Sequence, residues 1–152
     1  METDRVPVLL LVEDSASDVK ILQRALSQSA RPVDLIVLRD GQEASDYILR
    51  QGIFSPKGSA PWRRPDLIVL DLNLPRMTGL EVLGVVRSSA QFALTPVVVL
   101  SMSSQPEDVR KAYAGGANTY IEKPIDFNHF VSVMRTLAQM WLEMAVLPPP
   151  PS

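Results

Sequence analysis

Three unbroken apolar runs punctuate the chain, and each ends on a polar side chain. Val8-Leu9-Leu10-Leu11-Val12 leads into Glu13-Asp14, Leu67-Ile68-Val69-Leu70 into Asp71, and Val97-Val98-Val99-Leu100 into Ser101. Short runs that do not alternate with polar residues, and that are partly β-branched, read as strands covered on both faces of a parallel sheet. Residues 33–38 supply a fourth such stretch and residues 119–122 a fifth. Between them the period changes to that of a helix. Residues 16–27 carry Val19, Ile21, Leu22, Ala25 and Leu26 near helical spacing, and 42–50 carry Ala44, Tyr47 and Ile48. A helix over 80–86 follows Thr78-Gly79, with Thr78 placed to cap it. A helix over 106–114 has Pro106 in its first turn and Gly115-Gly116 at its end. The last helix is predicted over 127–144, with Phe127, Phe130, Met134, Leu137 and Trp141 on one stripe.

Strand and helix thus alternate five times, the pattern of an open parallel α/β sheet with right-handed crossovers. One connection, 51–65, is long and rich in Gly, Pro and Ser around Trp62-Arg63-Arg64. It reads as a surface excursion. Residues 148–151 are all proline and read as an extended, disordered end.

Composition narrows the function. The 152 residues suit one domain with a single core. The absence of cysteine removes disulfides, thiolate catalysis and zinc fingers, and fits a cytoplasmic setting. A net charge of −2 leaves no basic footprint for nucleic acid. His129 is the only histidine, which argues against a multi-histidine metal site, and it reads as an exposed helix residue. No apolar run approaches the ~18 residues of a membrane span, and residues 1–14 do not read as a signal peptide, because acids flank their short apolar stretch.

Open α/β sheets bind ligands at the carboxyl ends of their strands. Here that edge collects Glu13, Asp14, Asp71, Ser101 and, after the fifth strand, Lys123. Three carboxylates placed together repel one another and call for a cation; an oxygen-only donor set suits Mg2+. The ammonium adds positive charge for an incoming anion, and a carboxylate can act as nucleophile in aspartyl-phosphate chemistry.

As a set, these residues resemble the receiver domains of two-component response regulators. Glu13-Asp14 is similar to the family's acidic pair, and Asp71-Leu72-Asn73-Leu74-Pro75-Arg76-Met77-Thr78-Gly79 to the phosphoacceptor strand and its loop. Ser101 falls at the Ser/Thr position, Tyr120 at the aromatic switch, and Lys123-Pro124 at the Lys-Pro pair. The likeness spans 7–143, leaving 144–152 as a C-terminal extension with the polyproline tail. It implies a flavodoxin-like (βα)5 doubly wound sheet of strand order 2-1-3-4-5. The single-domain subfamily paired with phytochrome-type histidine kinases is the nearest resemblance. That rests on the loop before Pro65-Asp66-Leu67, the Asp71–Pro75 run, and Trp141 followed by Leu147-Pro148.

The resemblance implies roles. Asp71 accepts a phosphoryl group from a sensor histidine kinase. Asp14, Asp71 and the Asn73 backbone carbonyl bind Mg2+, with Glu13 acting through water. Lys123 and Ser101 contact the phosphoryl oxygens, and Tyr120 turns inward as Ser101 moves. A cis Lys123-Pro124 peptide is expected as well. Such a protein is a signalling domain and not an enzyme in its own right, showing only self-phosphorylation from a donor and slow self-dephosphorylation. No output domain is expected after the last helix, so output runs through protein contacts. Two departures stand out: Thr78 where many relatives have Asp, and Met102, which threatens to narrow access to Asp71.

Other readings fit less well. A haloacid-dehalogenase-like phosphatase wants a second acid where Asn73 stands. A nucleotide-binding module wants a glycine-rich loop after the first strand. A phosphorylation-independent dimerising adaptor would not need all five site groups. Finally, Val133, Met140, Met144 and Leu147 carry apolar character around the last helix. This predicts a homodimer that includes Met140 and Met144, against the alternative of an extension folded back on its own domain.

Overall fold

A computed structural model describes residues 5–151. Five parallel strands, β1 (Val8–Val12), β2 (Asp34–Leu38), β3 (Leu67–Asp71), β4 (Val97–Ser101) and β5 (Thr119–Glu122), form one sheet in the order β2-β1-β3-β4-β5. The apolar runs are unbroken because both faces of the sheet are covered. Leu10, Val12, Ile68, Leu70, Val97 and Val99 pack with residues of α2 (Gly41–Leu49) and α3 (Gly79–Ser88), and with Ala112 of α4 (Pro106–Ala114). Leu9, Leu11, Leu67, Val69, Val98 and Leu100 face α1 (Ala16–Ser27) and α5 (Phe127–Gln139) on the other side. Each fully buried Leu or Val contributes roughly 1.5–3 kcal/mol by leaving water.

The chain starts in the middle of the sheet, steps out to β2, then crosses back past β1 to β3 and onward. The connections after β1 and β3 therefore leave in opposite directions, and the ends of those two strands border a crevice. Helix starts are fixed by side-chain caps: Ser15 on α1, Asp40 on α2, Asp126 on α5, and a full capping box between Thr78 and Glu81 on α3. Thr78 thus caps α3 as its sequence position predicted.

Three regions add to expectation or depart from it. Segment 51–65 runs over the surface, as expected, but is packed there. It makes a short turn over Gly52–Phe54, buries Phe54, and stacks Trp62 on Tyr47 with ring centroids 5.8 Å apart. The Trp62 indole N–H donates to the Tyr47 carbonyl at 2.8 Å, and the Tyr47 hydroxyl donates to the Arg63 carbonyl at 2.6 Å. Aromatic side chains let this Gly- and Pro-rich stretch fold as a layer over α2. The last helix ends as an α-helix at Gln139 and widens into a π turn over Met140–Met144, closed by the Ala145 N–H on the Met140 carbonyl. Leu142 is buried, and Trp141 and Leu147 pack against the α1/α5 core, whereas Met140 and Met144 face outward. The extension therefore folds back in part. Beyond it, Pro148–Pro151 lie against Arg64–Asp66 and residues 90–96 around a cavity of about 270 Å³, so this stretch has a seat on the domain. The third departure is the Lys123-Pro124 peptide, which is trans where a cis bond was expected. Trans is the lower-energy isomer even before proline. Among the described residues no helix is long and apolar enough to cross a membrane.

Candidate functional site

Asp71 is the last residue of β3 and is buried. The chain then loops through 72–78 and returns tightly at Gly79. A Cβ at Gly79 would sit 2.3 Å from the Asp71 carbonyl oxygen, so only glycine lets the loop close over the strand end. The same loop is braced from the side. The Gly41 N–H donates to the Pro75 carbonyl, a Cβ at Gly41 would overlap the Met77 carbonyl, and Arg76 pairs with the α2 cap Asp40 at 3.2 Å. Asp71 is thereby held at both oxygens. Oδ1 accepts the Asn73 N–H at 2.9 Å and Oδ2 accepts the Lys123 ammonium at 2.8 Å.

Glu13 leaves the neighbouring strand β1 and is only 1% exposed. Its Oε1 accepts from Lys123 at 2.8 Å and its Oε2 from the Ser15 N–H at 3.2 Å. Burial pushes its carboxyl up to about 7. The adjacent Asp71 adds to the rise, while Lys123 works against it. Asp14 follows on the exposed side. Ligand oxygens of Glu13, Asp14 and Asp71 lie within 4.8 Å of one another, an oxygen-only set suited to a hard divalent cation.

Lys123 arrives from the end of β5, its backbone N–H bonded to the Ser101 carbonyl at 2.8 Å. Its side chain is 8% exposed, and its ammonium touches Glu13, Asp71 and a third acid, Asp18, each at 2.8 Å. Burial alone would lower the Lys123 pKa. The hydrogen bonds it donates to Asp18, Asp71 and Glu13 outweigh it and hold the pKa above the usual lysine range. Asp18 was not foreseen. An acid in the first turn of a helix ordinarily reads as a complement to the helix dipole, so nothing in the sequence sets it apart.

Ser101 ends β4, buried, one register step beyond the Asp71–Leu100 pair. Its hydroxyl accepts the Ser103 N–H at 3.1 Å. Tyr120, on β5, donates its hydroxyl to the Ser103 carbonyl at 2.7 Å, and its backbone N–H donates to the Tyr113 hydroxyl. Ser103 joins the two predicted switch residues and was also missed. Its own side chain donates to Asp108 and accepts from the Gln105 N–H. Met102 does not cap Asp71. It is 75% exposed and lines an outer groove with Asp18, Lys123, Pro124 and Phe127. His129 is exposed on α5, as expected.

Four carboxylates and one ammonium therefore converge at the crevice. The excess negative charge favours a cation, and the buried ammonium is available to an anion that the cation draws in. The family profile of the response regulator receiver domain matches residues 9–135. The response regulator Rcp1 of Synechocystis sp. is 36% identical over 147 residues, covering 97% of each chain. The crystal structure of the phosphorylated cyanobacterial phytochrome response regulator RcpA superposes with a TM-score of 0.88 at 35% identity, over 95% of this chain and 100% of that one. The Mn2+-bound form of Rcp1 gives a TM-score of 0.87 at 36% identity, over 94% and 99%.

Proposed function

The chain belongs to the response regulator receiver domain family, and from that premise we propose that Asp71 takes a phosphoryl group from a phosphohistidine on a phytochrome-type sensor histidine kinase. The observation that carries this reading is the Lys123 ammonium, nearly buried and 2.8 Å from the Asp71 carboxylate at the crevice between β1 and β3. An Asp71 oxygen attacks phosphorus in line. The new O–P bond forms as the N–P bond breaks, and the departing imidazole nitrogen keeps the electron pair and takes up a proton. Such a transfer asks for positioning and charge neutralisation more than for covalent help. Asp71 is positioned by the Asn73 N–H and Lys123, and the Gly79 turn keeps the loop close over the strand end.

Asp14, Asp71 and the Asn73 carbonyl would hold Mg2+ directly, and Glu13 through water. The donor chemistry of the acidic cluster supports this, as does a relative crystallised with Mn2+. When bound, the ion supplies charge that offsets the phosphoryl oxygens. Lys123 donates to one phosphoryl oxygen and Ser101 to another, and the movement of Ser101 is passed through Ser103 to Tyr120. The result is read by protein contact, and a homodimer through the last helix is part of the reading. Incubation with acetyl phosphate and Mg2+ tests it: wild type is labelled and Asp71→Asn is not. Equal labelling of the two would place the acceptor elsewhere.

A further inference from the structure

We propose that Asp18, on the first turn of α1, is the positioning residue that holds the Lys123 ammonium in place while Asp71 changes its bonding; the proposal rests on the reading of Asp71 as phosphoacceptor. An ammonium has three N–H donors. In Lys123 all three are taken at 2.8 Å, by Glu13 Oε1, Asp18 Oδ2 and Asp71 Oδ2. These partners are not equivalent. Glu13 and Asp71 belong with Asp14 to the acidic cluster, so a cation bound there competes with Lys123 for Asp71 directly and for Glu13 through its water. Asp71 also ceases to be a free carboxylate once it carries a phosphoryl group, and the donor aimed at it must move to a phosphoryl oxygen. Asp18 lies outside the cluster. It is the one partner that neither event removes.

Its own position is firm. The Asp18 N–H donates to the Ser15 cap at 3.3 Å, and Val19, Ile21 and Leu22 beside it are buried against the sheet and α5. Asp18 reaches Lys123 across 105 positions in sequence and is itself only partly exposed. A first-turn acid serving only the helix dipole has no need to meet a buried ammonium. Lysine is long and flexible, and a tether on the β1/β3 side alone lets its head swing. A second tether from α1 fixes the head between the two. Transfer rates fall steeply when a contacting group shifts by an ångström.

The test compares wild type, Asp18→Ala, Asp18→Asn and Asp71→Asn with acetyl phosphate at saturating Mg2+, while 15N NMR follows the Lys123 ζ-ammonium. Asn keeps an acceptor oxygen and loses the charge; Ala loses both. Both variants forfeit the dipole complement, so a purely structural role moves their thermal midpoints together and leaves the ammonium signal alone. The expected result is labelling slowed about tenfold in Asp18→Ala with the ammonium signal lost to solvent exchange, and labelling within about threefold of wild type in Asp18→Asn with the signal retained. Wild-type labelling in Asp18→Ala overturns the proposal. So does slow labelling with an unchanged ammonium signal, or an Asp18→Asn variant as slow as Ala. If wild type itself takes no label, the phosphoacceptor reading fails, and the ammonium signal still decides whether Asp18 holds Lys123. An Asp18→Ala chain that does not fold, seen by circular dichroism, leaves the decision to Asp18→Asn: a retained signal supports the tether and a lost one overturns it.

Discussion

The Tyr120 hydroxyl donates to the Ser103 carbonyl across 2.7 Å, while the Ser103 N–H donates to the Ser101 hydroxyl at 3.1 Å. One residue therefore holds the end of β4 to the aromatic ring of β5. The Ser103 side chain, bonded to Asp108 and Gln105, ties the same point to the start of α4. A phosphoryl oxygen at Asp71 that accepts the Ser101 O–H draws that side chain toward it, and so moves the oxygen that the Ser103 N–H uses. Any shift of Ser103 then removes the acceptor that Tyr120 uses. Under the proposed reading this chain of bonds acts as a two-state element biased by one local charge change.

Ser101→Ala is accordingly expected to leave Asp71 open to labelling by acetyl phosphate while disconnecting Tyr120 from it. The measurement is the NMR environment of Tyr120 with and without a beryllofluoride phosphoryl mimic. A shift in wild type that vanishes in the variant agrees with the link through Ser103. A shift of the same size in both shows that the signal travels another way.

Glu13 gives a pH dependence in metal-free protein. Burial raises its carboxyl from 4.5 in the unfolded chain to about 7 in the folded one, with Asp71 adding to the effect. A raised pKa means that the folded state binds the proton more tightly. The associated stability is full below about pH 4.5 and is lost as pH rises through about 7. In EDTA, wild type should lose stability relative to Glu13→Gln across that window, by denaturant titration at each pH. Parallel curves for the two proteins would show that Glu13 is not shifted. Adding Mg2+ should restore stability at pH 7 and above, and Asp14→Ala should weaken that gain more than Glu13→Ala does.

Much of this was legible from sequence because both faces of the sheet are buried. Residues such as Leu9 and Leu10 must both be apolar, and the first polar residue after each run marks the strand end where ligands bind. Glu13, Asp71 and Ser101 could be placed on that edge for this reason alone, and Lys123 because it follows the fifth strand. Asp18 and Ser103 could not. Each sits where a local role already explains it, a first-turn acid in one case and a serine before a helix in the other, and their long-range partners appear only when α1 and the β4–α4 connection are set against β5. The 51–65 stretch, read rightly as a surface excursion, hid its packing for a related reason. Its Gly and Pro content describes the backbone, whereas its fold is decided by Phe54 and Trp62 meeting Tyr47.

That aromatic cluster should be structural and separable from the chemistry. Trp62 stacks on Tyr47, meets the Phe92 ring edge-on at 6.4 Å, and lies under the Arg50 guanidinium. Trp62→Ala should cost about 2 kcal/mol, less than a fully buried tryptophan because the ring is only half-buried. Thermal melts should show a fall of several degrees, with labelling of Asp71 unchanged at temperatures where the variant is folded. A large loss of labelling in the folded variant would mean that the loop reaches the site through α2 and the Asp40–Arg76 pair.

The last helix carries the prediction about assembly. Its inward stripe, with Phe130, Met134, Leu137 and Leu142, is used up on the sheet and α1. Outside it, Met140 is 47% exposed, Met144 72% and Val146 98%, beside a shallow groove of about 340 Å³ lined by Ile121, Val133, Leu137 and Trp141. Leu142 and Leu147 fold back on the domain, so the methionines are not the leftover of an unfolded tail. They are held outward by the π turn that closes at Ala145. A contiguous apolar patch on a rigid helix is costly to leave in water, and a two-fold pairing of identical chains is the commonest way to cover one. The groove includes Thr119 and Ile121 of β5, on either side of Tyr120, so a change at Tyr120 would be felt at such an interface. Wild type should therefore be a dimer by light scattering at micromolar concentration. Met140→Glu combined with Met144→Glu should be a folded monomer, because each copy would bring two carboxylates into a contact that strips them of water. Neither methionine touches the acidic cluster, so the double variant should still take label from acetyl phosphate. A wild type that stays monomeric, with and without the beryllofluoride mimic, would mean that the patch is not a homodimer interface.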